Sequence, residues 1–119
     1  MAKFRFQDLD IWKMAIEIAD ELFDIADDLE HRKLFRFADQ LRGAGMSMSN
    51  NISEGSGSSS KKVFHRYLDI ARSSTFENAN ISILLSRRNI IDKNKEQELL
   101  EKLDHLCRKI TSFQKSLKP

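Results

Sequence analysis

Glycine and proline are scarce in this chain of 119 residues, which holds four glycines and a single proline, Pro119, at its last position. A β-rich fold of this size would need more turn residues, and so few breakers leave long helices uninterrupted. The length suits one domain with one hydrophobic core. The sequence therefore predicts an all-α fold in which residues 1–119 form a single domain.

Cysteine and long apolar runs are also scarce. The lone Cys107 has no partner for an internal disulfide, and no apolar run approaches the roughly 20 residues that span a bilayer. The first residues, Met1 to Phe6, lack the apolar block of a secretory signal. These absences predict a soluble, cytoplasmic protein without a membrane segment.

The charged residues are divided unevenly along the chain, although the net charge is only +2. Residues 1–30 hold nine acids against three bases, a balance of −6, and residues 31–119 hold seventeen bases against nine acids, a balance of +8. Two interpretations fit this asymmetry. It can mark a basic binding face, or it can mark helices that attract one another within a bundle or between subunits.

Apolar residues recur with helical spacing in four segments separated by short joints. We expect helices from an N-cap at Asp8 to about Glu30, from Leu34 to Glu54 with Gly55 as the stop, from Lys61 to about Asn89 after a cap at Ser59 or Ser60, and from a cap at Asp92 or Asn94 to about Ser116. Four helices of about 20 residues with short joints predict an up-down-up-down antiparallel four-helix bundle.

The first helix carries two adjacent apolar stripes, a face wider than a single intramolecular seam requires. The second stripe includes Trp12, Ile16 and Phe23, so we expect these residues at a subunit interface. A run of small residues in the second helix adds Gly43 and Ser47 to that interface. The same small residues fit tight packing inside the monomer equally well.

Asn78 occupies a position where the stripe of the third helix should be apolar. If this side chain is buried, its amide needs hydrogen-bond partners, because an unsatisfied buried polar group costs about 1–3 kcal/mol.

The sequence contains no recognisable catalytic device. The Glu-x-x-His pairs of di-iron bundles are missing, and the serine-rich segment before Lys61 lacks the end of a phosphate loop. Pairs such as Glu101 with His105 have a spacing that is common on solvated helix faces. We therefore expect a protein that is not an enzyme and that has no cofactor and no metal.

Two groups of bases are candidates for nucleic-acid binding. The first opens the third helix, where the positive end of the helix dipole would add to the attraction for phosphate. The second combines bases at the end of the third helix with bases of the fourth helix, which we expect to run antiparallel beside it. The candidates are Lys61, Lys62, His65 and Arg66 in the first group, and Arg87, Arg88, Arg108 and Lys109 in the second.

Three motifs make the chain resemble a known family. They are Asn51-Ile52-Ser53-Glu54-Gly55, Ser60-Lys61-Lys62-Val63-Phe64 with the following segment 68–77, and the opening Phe6-Gln7-Asp8-Leu9-Asp10-Ile11-Trp12, which looks like a Phe-x-x-Leu-x-x-Trp pattern. The chain resembles the proteins encoded by 23S rRNA intervening sequences, the S23 ribosomal protein family, related to the accessory variability protein of diversity-generating retroelements. The resemblance implies a four-helix bundle that assembles into a barrel-like homopentamer with a basic surface or channel for RNA or DNA.

Polar residues on or beside the inward stripes form a further candidate site: Gln40, Asn51, Glu54, Arg72, Ser74 and Glu77. They are expected to form a hydrogen-bonded network that fixes helix register, or a pocket that contains Glu54 and Glu77. The functional expectation is a homo-oligomeric, RNA-associated scaffold without enzymatic activity. The alternative is a protein-interaction or assembly module that binds an unknown protein partner and no nucleic acid.

Overall fold

The computed structural model describes residues 1–117 and contains four α-helices after one 3₁₀ turn, Arg5–Asp8. The helices are α1 (Asp10–His31), α2 (Phe35–Ser56), α3 (Lys61–Arg87) and α4 (Lys93–Ser116). Each helix packs against its neighbours in sequence and α4 packs against α1, so α1 and α3 occupy opposite corners of the bundle. This arrangement confirms the predicted all-α, up-down-up-down bundle. None of its helices is long and apolar enough to cross a membrane.

The bundle is held by one core to which all four helices contribute. Its largest fully buried apolar side chains are Leu22 and Leu29 of α1, Leu41, Met48 and Ile52 of α2, Leu68 and Leu85 of α3, and Leu99, Leu103, Leu106 and Ile110 of α4. Together with the smaller buried residues, they recur at intervals of three and four positions within each helix, so each helix turns one apolar face inward. Burial of that face is the main term that stabilises the helices.

Side-chain caps fix the starts of α3 and α4. The Ser60 hydroxyl accepts a hydrogen bond from the Val63 N–H at 3.2 Å, and the Asp92 carboxylate accepts one from the Lys95 N–H at 2.8 Å. Each bond satisfies an N–H that has no partner within its own helix. Of the alternatives that the sequence left open, Ser60 and Asp92 are the caps.

The predicted cap of α1 is wrong, because Asp8 belongs to the 3₁₀ turn that precedes the helix. Leu9 occupies the N-cap position and makes no side-chain hydrogen bond there. The Asp8 carboxylate instead pairs with Lys3 at 2.7 Å. The turn itself is closed by the Gln7 side chain, which accepts a hydrogen bond from the Phe4 N–H at 2.8 Å.

Gly55 does not end α2, contrary to prediction. The helix continues to Ser56, and Gly57 is its C-cap. Gly55 is buried, and a Cβ atom there would lie 2.6 Å from Cβ of Tyr67 and 2.8 Å from Cδ1 of Phe64. Both distances are too short for carbon atoms in contact. Because Gly55 has no side chain, the end of α2 and the start of α3 can approach closely beside the loop that connects them.

The small residues earlier in α2 have two different environments. A Cβ atom at Gly45 would make ordinary contact with Leu22 at 3.4 Å and with Phe23 at 3.6 Å, so this glycine packs against α1 within the monomer. A Cβ atom at Gly43 would meet nothing within 4 Å. Packing inside the monomer thus explains Gly45 and leaves Gly43 unexplained.

α1 and α3 end in the same type of turn. After α1, Lys33 has φ 63° and the Leu34 N–H bonds the Leu29 carbonyl at 2.8 Å. After α3, Asn89 has φ 59°, and the N–H of the next residue bonds the Leu85 carbonyl at 2.8 Å. This is the Schellman motif, which satisfies terminal carbonyls and brings the following apolar residue onto the core.

Candidate nucleic-acid and subunit interfaces

The bases that open α3 form one exposed group at an end of the bundle. Arg5 joins them from the N-terminal turn, because its guanidinium lies 5.9 Å from the ring centre of Phe64, on the first turn of α3. Such stacking of a cation on an aromatic face holds the arginine beside the helix start. We call this surface the basic end; its residues are Arg5, Lys61, Lys62, His65 and Arg66, all of them exposed.

The charges of the basic end have no acidic ion-pair partner among residues 1–117. Across residues 1–117, none of Lys61, Lys62 and Arg66 has a carboxylate within 4.0 Å. A nearby acid, Asp69, accepts a hydrogen bond from the buried Gln114 amide at 2.7 Å. The cations are therefore available to a negatively charged partner.

The second predicted basic group is not formed. Arg87 and Arg88 lie at the far end of α3, about 40 Å from the basic end for a helix of this length. α4 begins beside the end of α3 and runs back antiparallel to it, so Arg108 lies some 20 Å from Arg87 and Arg88 along the bundle axis. Arg108 pairs with Asp104 at 3.1 Å, and Lys109 lines a shallow cleft next to acids of the N-terminal segment. The eight candidate bases thus occupy three separate places.

Part of the predicted polar network exists along the line where α2 meets α3. The Ser47 and Ser74 hydroxyls lie 2.7 Å apart and share a hydrogen bond. Asn51 donates to the Ser47 carbonyl at 2.7 Å and to its hydroxyl at 3.1 Å. We call these three residues, together with Asn78, the polar seam. Its bonds link fixed positions on the two helices and so set their register.

Asn78 is completely buried at the deepest point of the polar seam. Its Nδ2 donates to the carbonyls of Ala44 and Ser74, both at 2.8 Å. Because carbonyls only accept, these two bonds fix the orientation of the amide. Its Oδ1 has no hydrogen-bond partner among the described residues. The amide therefore ties α3 to α2 while leaving one buried acceptor unsatisfied.

Four of the predicted network residues lie outside the seam. Gln40, Glu54 and Glu77 are exposed. Arg72 faces the other side of α3, where its side chain borders a depression next to Phe76. Gly55, next to Glu54, packs against Tyr67 of α3. Glu77 follows Tyr67 by ten residues, which is about 15 Å further along α3. The expected pocket containing both glutamates is thus not formed.

The predicted interface residues are also divided between two surfaces. Trp12, Ile16 and Phe23 are half-buried on α1, where Trp12 packs on Phe6 with ring centres 5.1 Å apart. Gly43 and Ser47 lie on α2 instead, and Ser47 faces α3 as part of the polar seam.

Ion pairs inside the bundle account for part of the charge asymmetry along the chain. Glu21 of α1 lies between two lysines of α4, 3.0 Å from Lys95 and 2.6 Å from Lys102. Arg42 of α2 contacts Asp27 at 2.7 Å and a second α1 carboxylate at 2.8 Å. These ion pairs join α1 to both of its neighbours, as the intramolecular interpretation of the asymmetry predicted.

The pairing of Glu21 predicts a pH dependence of stability. Partial burial raises the pKa of Glu21, but hydrogen bonds from Lys102 and Lys95 outweigh it, and the net pKa lies below the ordinary range. A lowered pKa in the folded state contributes stability that is present at neutral pH and is lost as pH falls. We expect Glu21→Gln to lower the free energy of unfolding by about 0.5–1 kcal/mol at pH 7. Urea unfolding should show a smaller difference near pH 4, and a difference that grows on acidification would contradict this account.

The outer side of α3 is unusually apolar for a solvent-facing surface. The four exposed apolar residues of α3 are Phe76 at 66%, Leu84 at 44%, Ile70 at 43% and Ile83 at 37% relative exposure. We call this group the α3 face. Beside it, Phe76 borders a cleft of about 280 Å³ between α3 and α4. These residues lie outside the buried stripes that predict the helices, and the sequence signal for them is the low charge of residues 70–86, which hold only two charged side chains, Arg72 and Glu77.

Metal chemistry has no obvious location in residues 1–117, where no three His, Cys, Asp or Glu side chains are grouped to hold an ion. The half-buried Cys107 lies at the edge of the cleft between α3 and α4.

Comparison with known proteins identifies the family of this bundle. A family model described as 23S rRNA-intervening sequence protein matches residues 7–112. A crystal structure of a protein with unknown function from the S23 ribosomal protein family, from Bacteroides thetaiotaomicron, superimposes with a TM-score of 0.83 and 22% identity. The match covers 88% of this chain and 98% of that chain and shows a common fold. No curated protein matches the chain. The chain belongs to the 23S rRNA-intervening sequence protein family.

Proposed function

We propose that this protein is a non-enzymatic, cytoplasmic homo-oligomer, a pentamer as the family resemblance implies, that binds RNA through its basic end. The observation that carries the proposal is the group of exposed cations at the start of α3, among which Lys61, Lys62 and Arg66 have no carboxylate partner in residues 1–117. The name of the family, which refers to a ribosomal RNA sequence, is consistent with an RNA ligand.

Phosphate binding at such a surface is driven by release of counterions from the nucleic acid. The Ser60 cap leaves other N–H groups of the first α3 turn unbonded, and their partial positive charge adds to that of Lys61 and Lys62. A few phosphate contacts per copy give weak binding. Repetition of the basic end in an oligomer would convert weak contacts into useful affinity through avidity.

The test compares two ends of the same bundle. Lys61→Gln with Lys62→Gln removes two charges from the basic end, and Arg87→Gln with Arg88→Gln removes two charges from the opposite end. We expect the first variant to bind a structured RNA at least tenfold more weakly and to lower the salt slope of log Kd by about 1.5–2 if both lysines contact phosphates. The second variant should bind as the parent protein does.

Fluorescence anisotropy from low to physiological salt measures both quantities, with the oligomer mass checked in each sample. A matched DNA duplex shows whether the surface prefers RNA. If only the Arg87 and Arg88 variant loses affinity, the binding surface is assigned to the wrong end. No binding at low salt by an intact oligomer would overturn the RNA proposal and favour the assembly module, for which the α3 face is the supporting observation.

A further inference from the structure

We propose, building on the RNA binding proposed above, that the basic end takes unpaired RNA and that the ring of Phe4 stacks on one of its bases. Phe4 lies directly before Arg5 of the basic end. Its side chain is 66% exposed, although aromatic side chains usually bury most of their surface. Proteins that bind single-stranded nucleic acid combine exposed aromatic rings, on which bases stack, with nearby cations.

The Phe4 ring is the outer member of a row of three aromatic rings. It stacks on Phe6 with ring centres 5.7 Å apart and planes inclined by 24°. Phe6 in turn packs on Trp12 of α1, so the row continues into the bundle. Because Phe6 covers one face of the Phe4 ring and the side chain remains largely exposed, the other face is open. A base on that face would extend the row outward.

Hydrogen bonds hold Phe4 in place before any ligand arrives. Its N–H donates to the Gln7 side chain at 2.8 Å, and its carbonyl accepts from the Gln7 N–H at 3.1 Å. The neighbouring Arg5 reaches the Phe64 ring of α3, which anchors the N-terminal turn to the basic end. A platform that is already ordered loses little conformational entropy when it binds.

The phosphates of the same RNA strand would lie on the neighbouring cations. Arg5 brings the platform beside the helix start that carries Lys61 and Lys62, which have no carboxylate within 4.0 Å in residues 1–117. The first acid of the chain, Asp8, pairs with Lys3 at 2.7 Å and so opposes phosphate less. One ring for a base and several cations for phosphates suit a strand with unpaired bases, such as the loops of a structured RNA.

The other exposed phenylalanines lack this setting. Phe35 is 56% and Phe76 is 66% exposed, but within residues 1–117 neither ring packs on another aromatic ring. Phe35 also opens α2, so the length of that helix separates it from the start of α3. Phe35 is therefore a matched control for Phe4.

The test replaces Phe4 with leucine, which keeps an apolar side chain and removes the aromatic ring. We expect Phe4→Leu to bind a short uridine oligonucleotide at least about fivefold more weakly than the parent, because one stacked base is lost. The salt slope of log Kd should not change, because no charge is removed. Phe4→Tyr should keep the parent's affinity, and so should Phe35→Leu. Fluorescence anisotropy measures each Kd, with oligomer mass and far-UV circular dichroism checked in every sample.

An abasic oligonucleotide of the same length separates stacking from charge. It carries the phosphates without the bases, so Phe4→Leu and the parent should bind it equally. Both proteins should also bind an RNA duplex equally, since its bases are already paired and stacked on one another. A loss of the same size on the abasic strand or on the duplex would overturn the stacking.

The lysine variant keeps this proposal distinct from the one on which it rests. If Lys61→Gln with Lys62→Gln weakens binding of the uridine strand and Phe4→Leu does not, the basic end binds phosphates alone and the proposal for Phe4 fails. If the parent binds no RNA at low salt, the proposed function fails as well. A Phe4→Leu protein whose oligomer mass differs from the parent's would make Phe4 a subunit contact, which also overturns the proposal.

Discussion

Gly55→Ala should lower the free energy of unfolding by about 3 kcal/mol, because the new methyl group has no room between α2 and α3. It would lie 2.6 Å from Cβ of Tyr67, an atom fixed to the backbone that cannot rotate away. It would also lie 2.8 Å from the Phe64 ring. The helices must separate, which loosens packing along the joint. Urea denaturation monitored by circular dichroism measures the loss.

Gly43→Ala is the matched control, since both glycines are in α2. Its new methyl group would meet nothing within 4 Å, so alanine should stabilise the monomer by about 0.5–1 kcal/mol through helix propensity. A Gly55 variant as stable as the parent would contradict the close approach of the helices. If the Gly43 variant destabilises an isolated monomer, that result would contradict the open space that the structure shows beside Gly43.

Asn78→Asp should be more damaging, lowering the free energy of unfolding by about 3–5 kcal/mol at pH 7. The two side chains have nearly the same shape, so the effect isolates charge. The introduced carboxylate would face the carbonyls of Ala44 and Ser74, which now accept hydrogen bonds from the amide. Burial and these oxygens would raise the pKa of the introduced carboxyl group. Its protonated form can donate, so part of the loss should be recovered as pH falls toward 4.

Asn78→Leu provides the comparison for this variant. It removes the donor and also the unsatisfied Oδ1, but its two methyl groups are bulkier than the amide, so we expect a loss of about 1–3 kcal/mol from overpacking, smaller than that of the aspartate variant. Denaturant titrations at pH 7 and near pH 4 distinguish the outcomes. Equal stability of the aspartate variant and the parent at pH 7 would place the side chain in solvent, contrary to the structure.

The sequence was sufficient for the four helices, and it limited two of their caps to two candidates each, because these features depend on local patterns. Apolar spacing and the cap chemistry of Ser60 and Asp92 act within one or two turns. The prediction for Gly55 was wrong for a related reason. A glycine near a helix end looks like a stop, and only the position of Tyr67 on the partner helix shows that its role is close packing.

The candidate sites were less predictable because they depend on how distant segments are brought together. Arg108 was grouped with Arg87 from their location on adjacent helices, but the antiparallel register places them at different levels of the bundle. Ser47 was predicted at a subunit interface and Ser74 in the polar network, and the hydrogen bond between them follows from the same antiparallel register of the helices. The α3 face could have been found from the low charge of residues 70–86, a signal that counting buried stripes overlooks.

The matching turns after α1 and α3 point to a pseudo-twofold relation between the two helical hairpins. Buried positions of α1 from Ala15 to Leu29 each have a buried counterpart fifty-six residues later in α3. Under this relation Asn78 stands where the first hairpin has Leu22. The second hairpin thus has an amide at the level where the first has a buried leucine.

We expect this difference to make the two hairpins unequal in local stability. Among the described residues, Nε of Arg72 and Oδ1 of Asn78 are buried without a hydrogen-bond partner, and both lie in α3. Such groups lower the free energy at which a region opens, so the hairpin of α3 and α4 should be the more easily opened half of the molecule. Association through the α3 face would stabilise the same half by mass action. Assembly and the folding of the weaker hairpin would then be thermodynamically coupled.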